Sequence, residues 1–336
     1  MDIGIIEGFF FKLREGDIFY AKGVTHPLGS VVSFPKYVVD VNGDRVDRNG
    51  MRYKKISSIN EEYNYATSIY TKYIKHDEFF CRSIVLVPTT DIAKIYNPVK
   101  KAEELIELST SDATLTDVKD MVVDIIDSTG VKAIGVSGSV LVELHRADSD
   151  IDIVIYGRNN GFRVYSYLKE VVDRDHRYRR YTKETLKQLY LRRAIETPIT
   201  FDQMLYQESR RLLEGFFKNR EYFIRLVKYP WEEPQYGTYR CKKLGKALLK
   251  LRIVDSKDSI YTPCRYRVEI VEHDYGVKVD NVTEVYSLRG RFNEIATEDD
   301  IVEAYGTIEL VETINGRTHH RLYLGDENDY MVVIQR

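Results

Sequence analysis

Two aspartates separated by one residue carry the clearest chemical signal in this sequence. They lie in the segment Ser149-Asp150-Ile151-Asp152-Ile153, which alternates polar and apolar side chains as a half-buried strand does. Alternate residues of a strand project from the same face, so the two carboxylates are expected side by side. Two like charges at that spacing repel each other unless a cation lies between them. The pattern therefore predicts a metal site, and oxygen ligands without His or Cys favour Mg²⁺ or Mn²⁺.

A glycine-serine turn precedes the aspartates. The apolar run 131–136 predicts a short buried strand, and Ser137, Gly138 and Ser139 follow it at a point where a helix can begin. Glycine lets a phosphate approach the backbone, and hydroxyl and helix N-terminal N–H groups can bind its oxygens. These three residues are therefore predicted to bind a nucleotide beside the metal. The alternative is an ordinary turn followed by a surface strand with two solvated aspartates, but the other positions of that strand are too apolar to favour it.

The Gly-Ser pair, the ten residues between Ser139 and Asp150, and the alternating acids together resemble the signature of the DNA polymerase β nucleotidyltransferase superfamily. That superfamily includes tRNA CCA-adding enzymes, poly(A) polymerases and small antitoxin-type enzymes. Residues 149–153 are similar to the archaeal CCA-adding group, and the arrangement of the whole chain resembles archaeal predicted nucleotidyltransferases of undefined substrate. The resemblance implies transfer of a nucleoside monophosphate from ATP or another triphosphate to a hydroxyl acceptor, such as an RNA or DNA 3′ end, with release of pyrophosphate.

The superfamily also implies a third catalytic carboxylate on a later strand, and here the sequence departs from a clear pattern. The best candidate is Glu221, which opens an apolar strand and would join the two aspartates as a metal ligand that helps to activate the acceptor hydroxyl. Arg225 shares its face and would bring a cation to the triphosphate. The alternative is that Glu221 pairs with Arg220 or Arg225 at the strand edge. Asp202 and Glu208 are weaker candidates, because their surroundings are helical.

The middle of the chain is locally basic, although the formal net charge is only −2. Residues 174–193 hold eight Lys or Arg against two acids, with tyrosines among them, which suits a nucleic-acid backbone and base stacking. The predicted nucleic-acid contacts are Arg177, Arg179, Arg180, Arg192 and Arg193. A basic helix predicted over 244–254 would bring Lys246, with Lys242 beside it, to the triphosphate. Solvated helix faces have a similar composition. The alternative for both the nucleic-acid contacts and the triphosphate-binding lysines is therefore a basic helix face exposed to solvent.

The pattern of elements predicts three domains. Residues 1–98 read as an N-terminal β-rich domain of short aromatic and β-branched runs between turns. Residues 99–255 alternate helices and strands and are predicted to form the catalytic domain, a short mixed sheet with helices. Its helices are expected at 99–108, 116–128, 162–173, 182–194 and 202–215, and its strands at 131–136, 151–156 and 220–228. Residues 256–336 return to strands, with a hairpin turn at Asn315-Gly316, and predict a small β-barrel or sandwich.

Composition restricts the class of protein. No apolar run approaches the roughly 18–20 residues that cross a bilayer, so a membrane partner is not expected. Three cysteines far apart in the sequence favour neither a disulfide framework nor a CxxC-type zinc site, and we expect a cytoplasmic protein. The many charges of both signs resemble thermophile composition.

Two rival functions remain at this stage. The first is a catalytically inactive adaptor of the same fold that binds nucleic acid or protein, because the third carboxylate is uncertain. The second is an antitoxin-like enzyme that modifies a partner protein, which the flanking domains disfavour. The acceptor, the preferred triphosphate and the oligomeric state are not determined by the sequence.

Overall fold

The computed structural model describes residues 3–193 and 198–335, and it describes only the backbone of Arg192 and Arg193. Its described part forms two compact units, each assembled from several segments. The first unit comprises Met1–Asp77, Arg82–Tyr178 and Phe216–Tyr236, and the second comprises Glu78–Cys81, Arg179–Gly215 and Gly237–Arg336. This division differs from the three predicted domains, because the expected boundary at residue 98 falls inside the first unit.

The N-terminal part of the first unit is an antiparallel sheet. Its strands and helix are β1 (Phe10–Leu13), β2 (Ile18–Ala21), β3 (Ser30–Val39), β4 (Arg45–Val46), β5 (Arg52–Lys55), α1 (Ile59–Ile69), β6 (Ile74–Asp77), β7 (Arg82–Pro88) and β8 (Ile92–Tyr96). The strand order is β4-β5-β3-β2-β1-β8, and β7 pairs with both β3 and β6. A Ser58 capping box, in which the Ser58 hydroxyl accepts from the Glu61 N–H, fixes the start of α1.

The middle of the chain alternates helices and strands. Its elements are α2 (Pro98–Glu107), α3 (Ala113–Thr129), β9 (Ile134–Val136), α4 (Gly138–Leu141), β10 (Ile151–Tyr156), α5 (Arg158–Val171), β11 (Tyr178–Arg179), α6 (Lys183–Arg193), α7 (Phe201–Glu208), β12 (Glu214–Phe217) and β13 (Arg220–Val227). The sheet runs in the order β11-β12-β13-β10-β9, with β10 parallel to β13 and antiparallel to β9. The predicted mixed α/β sheet with helices is therefore confirmed for this region.

Most helix predictions for this region hold, with shifted ends. Helix α3 begins earlier than expected because the Asp112 carboxylate caps it, and it ends at Gly130, whose φ is 67°. Helix α5 begins directly after Gly157, whereas the sequence placed residues 157–161 in a loop. The helix predicted over 202–215 is wrong at its end: α7 stops at Glu208, and β12 follows.

The N-terminal sheet packs on the central sheet within the first unit. Val154 and Tyr156 of β10 and Val227 of β13 share a buried cluster with N-terminal residues such as Phe9 and Phe11. A second cluster joins the other N-terminal strands to the region after α4 and consists of Phe10, Ile18, Tyr37, Tyr53, Leu141, Val142 and Leu144. These two cores explain why residues 1–98 do not form a separate compact unit.

The C-terminal part of the second unit contains a sheet built on the long strands β14, β16 and β18. The elements of this region are β14 (Tyr239–Asp255), β15 (Tyr261–Thr262), β16 (Cys264–Gly276), β17 (Glu284–Ser287), β18 (Ile301–Thr313), β19 (Thr318–Tyr323) and β20 (Tyr330–Gln335), of which the two-residue β15 is not part of this sheet. Six of them follow the order β14-β16-β17-β19-β18-β20, and β14 also pairs with β18. The strands predicted here and the turn at Asn315-Gly316 are present, whereas the choice between a barrel and a sandwich stays a prediction.

The basic helix predicted over 244–254 is wrong, because these residues belong to β14. Ala247, Leu249, Leu251 and Ile253 are each fully buried and alternate with partly or fully exposed positions. That is the period of a strand, whereas leucines at 244, 248 and 251 imitate the spacing of a helix face. Within the described residues, no helix is long and apolar enough to span a membrane.

Candidate active site

The glycine-serine turn and the two aspartates lie side by side in the first unit. Val136 pairs with Ile153 across the antiparallel strands β9 and β10, and the Ser137 N–H donates to the Asp152 carbonyl oxygen at 2.8 Å. Gly138 follows with φ of 60°, a conformation that favours glycine. A Cβ atom at this position would overlap the Asp152 carboxylate. The position of the Asp152 side chain therefore requires a glycine at residue 138.

The two aspartate side chains have no counterion of their own. Asp150 is exposed and Asp152 is half-buried, one position before and one position inside β10. Neither carboxylate accepts a hydrogen bond or joins an ion pair with any side chain in residues 3–193 and 198–335. The opposite face of the strand carries Ile151 and Ile153, which are buried at 0% and 1% exposure. The strand therefore presents its acids and hides its apolar side chains, as the alternation predicts.

The negative charge of Asp150 affects the pKa of its neighbour Asp152. Burial and the charge of Asp150 raise the pKa of Asp152 from 3.8 to about 7, against the opposing effect of Lys55, Arg225 and Lys36. A bound cation would favour the ionised form and reverse this shift. The donor set, two carboxylates with no other ligand type, fits a hard divalent cation such as Mg²⁺ or Mn²⁺.

The serine hydroxyls of the turn differ in their contacts. The Ser137 hydroxyl donates to the Gly8 carbonyl oxygen at 2.8 Å, so its proton is used in holding the N-terminal segment against the turn. Ser139 is buried and hydrogen-bonds to Tyr37, whose pKa is raised by burial and by the charges of Asp152 and Asp150. The turn therefore offers its backbone N–H groups and the Ser139 hydroxyl to a ligand. Nucleotide binding by Ser137 stays a prediction, and the hydrogen bond of its hydroxyl to Gly8 does not support it.

Glu221 lies on the strand next to the aspartates. Strands β10 and β13 are parallel, with Ile151 opposite Tyr222 and Asp152 opposite Phe223. Glu221 precedes Tyr222 and is half-buried, so it shares the face and the sheet end of Asp150. A side chain on the opposite face of the sheet could not share a metal with the aspartates, and Glu221 does not lie on that face. Its catalytic role stays a prediction.

The arginines considered as partners of Glu221 bind other carboxylates. The Arg220 guanidinium donates to Asp117 at 3.1 Å and to the carbonyl oxygens of Ala147 and Ser149. Arg225 forms an ion pair with the buried Glu7 and lies over the Phe223 ring, 5.0 Å from its centroid. A protein carboxylate therefore already neutralises Arg225, and its predicted role at the triphosphate stays a prediction.

The basic segment 174–193 is largely structural. Arg177 binds Asp175 and Asp124 at 2.6 and 2.8 Å. Tyr178 and Tyr181 are buried at 0% and 7% exposure, so they are not available to stack on bases. Arg179 and Arg180 have interactions within the described chain, and the side chains of Arg192 and Arg193 lie outside the described residues. The burial of these two tyrosines does not support base stacking by them, and the predicted nucleic-acid contact of the segment stays a prediction.

The remaining predicted site residues belong to the second unit. Lys242 and Lys246 lie on β14 rather than on a helix, and Lys246 binds Asp329 and Asp326 at 2.5 and 3.1 Å. Glu208, a weaker candidate for the third carboxylate, binds the buried Arg211 at 3.2 Å. Asp202 lies in the first turn of α7, where an acid stabilises the helix N-terminus.

One cluster was missed by the sequence reading. Cys81 and Cys241 meet Glu309 in the second unit, with their ligand atoms within 4.8 Å of one another. The Arg321 guanidinium lies 2.8 Å from Glu309 and 3.9 Å from the Cys241 sulfur, so the carboxylate already has a buried counterion. Two cysteines 160 positions apart in the sequence give no spacing signal, and only the strand pairing brings them together.

Comparison with known proteins agrees with the geometry. Residues 118–215 match the family model described as nucleotidyltransferase domain. An uncharacterized protein of the archaeon Methanocaldococcus jannaschii is 25% identical over 328 residues, which cover 94% of this chain and 94% of that protein. No solved structure matches the chain significantly. The matched segment includes α4, β10 and both aspartates.

Proposed function

We propose that this chain, whose residues 118–215 match a nucleotidyltransferase domain model, is a nucleotidyltransferase of the polymerase β type that transfers a nucleoside monophosphate from a triphosphate to a hydroxyl acceptor. The observation that carries the proposal is the pair of aspartates placed against the Gly138 turn, neither of which forms an ion pair or accepts a side-chain hydrogen bond within residues 3–193 and 198–335. Carboxylates in a protein are normally neutralised by a cation or by hydrogen bonds, and a pair that lacks both is typical of a metal site.

The metal ligands would be Asp150 and Asp152, with Glu221 as the third carboxylate. Mg²⁺ or Mn²⁺ bound there would neutralise the triphosphate and lower the pKa of the attacking hydroxyl. The backbone at Gly138 and Ser139 would hold the β- and γ-phosphates, and Glu221 would orient the acceptor hydroxyl.

The reaction follows from these positions. The acceptor oxygen forms a bond to the α-phosphorus, the bond from that phosphorus to the bridging oxygen breaks, and pyrophosphate leaves with the electron pair. The hydroxyl proton passes to Glu221 or to water. The acceptor class remains an RNA or DNA 3′ end, a protein side chain or a small molecule.

The test compares the wild type with Asp150→Asn/Asp152→Asn. The protein is incubated with each α-labelled triphosphate, Mn²⁺ and bulk RNA, and Mn²⁺ binding is measured by calorimetry. We expect label transfer and Mn²⁺ binding by the wild type and the loss of both in the double variant. Asp148→Asn is the matched control, because Asp148 lies in the same loop, is 73% exposed and pairs with Arg146.

Two outcomes would contradict the proposal in different ways. Equal Mn²⁺ binding by the wild type and the double variant would remove the metal site. A wild type that binds Mn²⁺ and triphosphate but transfers label to no RNA, protein or small-molecule acceptor would favour the alternative function, a nucleotidyltransferase-fold adaptor that binds nucleic acid or protein.

A further inference from the structure

The N-terminal sheet covers part of the face of β10 that carries Asp152. The covered part begins beyond Asp152, toward the C-terminal end of the strand. Val154 and Tyr156 project from the same face as Asp152, and both are fully buried among N-terminal residues. Asp152 is the half-buried member of this row, at the edge of the covered area. Side chains of the N-terminal sheet that project toward β10 therefore border the metal-binding carboxylates.

Tyr37 of β3 marks the part of the N-terminal sheet that reaches the site. It is 1% exposed, packs with Leu141 and Val142 just after the glycine-serine turn, and hydrogen-bonds to Ser139. In the antiparallel pair β3–β5, Lys55 lies directly opposite Tyr37. Side chains opposite each other across a sheet share a face, so Lys55 projects toward the same turn and the same aspartates.

The charges of Lys55, Arg225 and Lys36 oppose the raised pKa of Asp152, and two of these three cations are neutralised by other acids. The Lys36 ammonium lies 2.7 Å from the Glu62 carboxylate, which also accepts from the Tyr20 hydroxyl. Arg225 is paired with the buried Glu7, which Lys22 also approaches at 3.5 Å.

Lys55 is the third of these cations and differs from the other two. Its ammonium has no hydrogen-bond or ion-pair partner among the described residues, 3–193 and 198–335. Lys55 is half-buried, and it is the last residue of β5. In the metal-free protein the carboxylates of Asp150 and Asp152 balance the charge of this ammonium. A divalent cation bound to those carboxylates would neutralise them, and an anion would then have to compensate the partly buried ammonium.

We propose that Lys55 binds the triphosphate of the metal-bound nucleotide, so that the N-terminal sheet completes the nucleotide site. The inference rests on the proposed function, because it takes the ligand to be a metal–triphosphate. An ammonium is a compact point charge with three donors, which suits the non-bridging oxygens of the β- and γ-phosphates. The basic residues that the sequence placed in this role, Lys242 and Lys246, lie in the other unit.

Removal of the Lys55 charge is expected to have opposite effects on the binding of a triphosphate and on the binding of a divalent cation. Removing the ammonium should weaken the binding of an anionic triphosphate. The same change removes a positive charge near the metal ligands, so a divalent cation alone should bind equally well or more tightly. A lysine that served only to support the local fold would lower both affinities together.

The experiment uses Lys55→Met in the full chain, since methionine keeps most of the aliphatic stem. Calorimetry measures binding of Mn²⁺ alone, then of inorganic tripolyphosphate and of α,β-methylene ATP at saturating Mn²⁺. We expect the variant to bind both triphosphates at least tenfold more weakly, and Mn²⁺ alone with unchanged or higher affinity. Lys55→Arg should restore most of the triphosphate affinity. Lys54→Met is the matched control, because Lys54 is exposed on the opposite face of the same strand.

The outcomes separate the inference from the proposed function. Equal triphosphate affinity in wild type and Lys55→Met, with Mn²⁺ binding intact, would overturn the role of Lys55 and leave the nucleotidyltransferase site in place. Parallel loss of Mn²⁺ and triphosphate binding would make Lys55 a structural residue and also overturn it. A wild type that binds neither Mn²⁺ nor triphosphate would remove both proposals. If catalysis is observed, the variant should show a higher KM for the triphosphate with a smaller change in kcat.

Discussion

The two units of this protein treat clustered carboxylates in opposite ways. In the second unit, the guanidinium of Arg211 is 1% exposed and is surrounded by Glu208, Glu214 and Glu294 at 3.2, 3.0 and 3.7 Å. The backbone N–H groups of residues 212 and 213 also donate to Glu294. Among residues 3–193 and 198–335, by contrast, no arginine forms an ion pair with Asp150 or Asp152 and no backbone N–H donates to either carboxylate. The carboxylates of one cluster are satisfied within the protein, and those of the other have no such partners in the described part of the chain.

The difference separates a structural cluster from the site proposed to bind a metal. Burial alone would lower the pKa of Arg211, but the three carboxylates outweigh it and raise that pKa. At the aspartates, burial and like charge act together and raise the pKa of Asp152. Shifted pKa values occur in both the Arg211 cluster and the aspartate pair, so a shift alone does not identify a candidate ligand site. The criterion that distinguishes the two is whether the charges compensate each other within the protein.

The largest expected effect is the loss of the structural cluster. Arg211→Met would leave three buried carboxylates without their counterion, and we expect the free energy of unfolding to fall by about 3–5 kcal/mol. Urea unfolding followed by circular dichroism measures the change. Arg240→Met is the control: Arg240 pairs with Glu312 at 3.0 Å but is 67% exposed, so about 0–1 kcal/mol is expected. A similar small loss for both variants would show that the Arg211 cluster contributes little.

The next effect tests the third carboxylate. Glu221→Gln keeps the size of the side chain and removes its charge, so metal–triphosphate binding should persist while transfer falls on the order of 10²-fold, a barrier increase of about 2.7 kcal/mol. Single-turnover kinetics with the acceptor found for the wild type measure this. Glu170→Gln, an exposed position on α5, should leave the rate unchanged. Full activity in Glu221→Gln would point to another carboxylate.

A smaller effect is expected at the turn beside the aspartates. Gly138→Ala places a Cβ atom on the Asp152 carboxylate, so that carboxylate must move away from its position next to Asp150. We expect Mn²⁺ affinity to fall at least tenfold, about 1.4 kcal/mol. Gly29→Ala controls for backbone strain, because Gly29 has φ of 74° with no atom within 4 Å of the added Cβ. If both variants bind Mn²⁺ like the wild type, the turn does not position the metal ligand.

The smallest effect concerns pH. Because the pKa of Asp152 is about 7 in the folded protein and near 3.8 when unfolded, the folded state retains a proton that the unfolded state has lost. The metal-free protein should therefore become less stable as pH rises from about 4 to about 7, on the order of 1 kcal/mol after allowing for solvent screening.

Thermal unfolding in EDTA at pH 5 and pH 8 measures this difference in Tm. Asp152→Asn should reduce the difference, because it removes the titrating group. Saturating Mn²⁺ should raise the Tm of the wild type more at pH 8 than at pH 5, since the metal requires the ionised carboxylate. A wild type and an Asp152→Asn variant with the same pH dependence would contradict the assignment of the proton to Asp152.

The site strand and most helices of the central domain could be predicted because local pattern decides them. Strand β10 has the predicted bounds. Because the acids alternate with Ile151 and Ile153, only one orientation of this strand buries both isoleucines. Strand β14 was mistaken for a helix because leucines at 244, 248 and 251 satisfy a helical spacing as well as a strand spacing. Pairing with β16 and β18 decides between them, and those partners are distant in sequence.

The sequence by itself determined which residues can hold a metal: two carboxylates on one strand face, a glycine-serine turn, and an apolar face that fixes their direction. Only the tertiary structure decided which charges reach them. Lys55 and Tyr37 come from the N-terminal sheet, Glu7 neutralises Arg225, and Lys246 is bound to acids in the other unit. The physical reason is that strand periodicity is a local property of the chain, whereas the compensation of a charge depends on residues that meet only after folding.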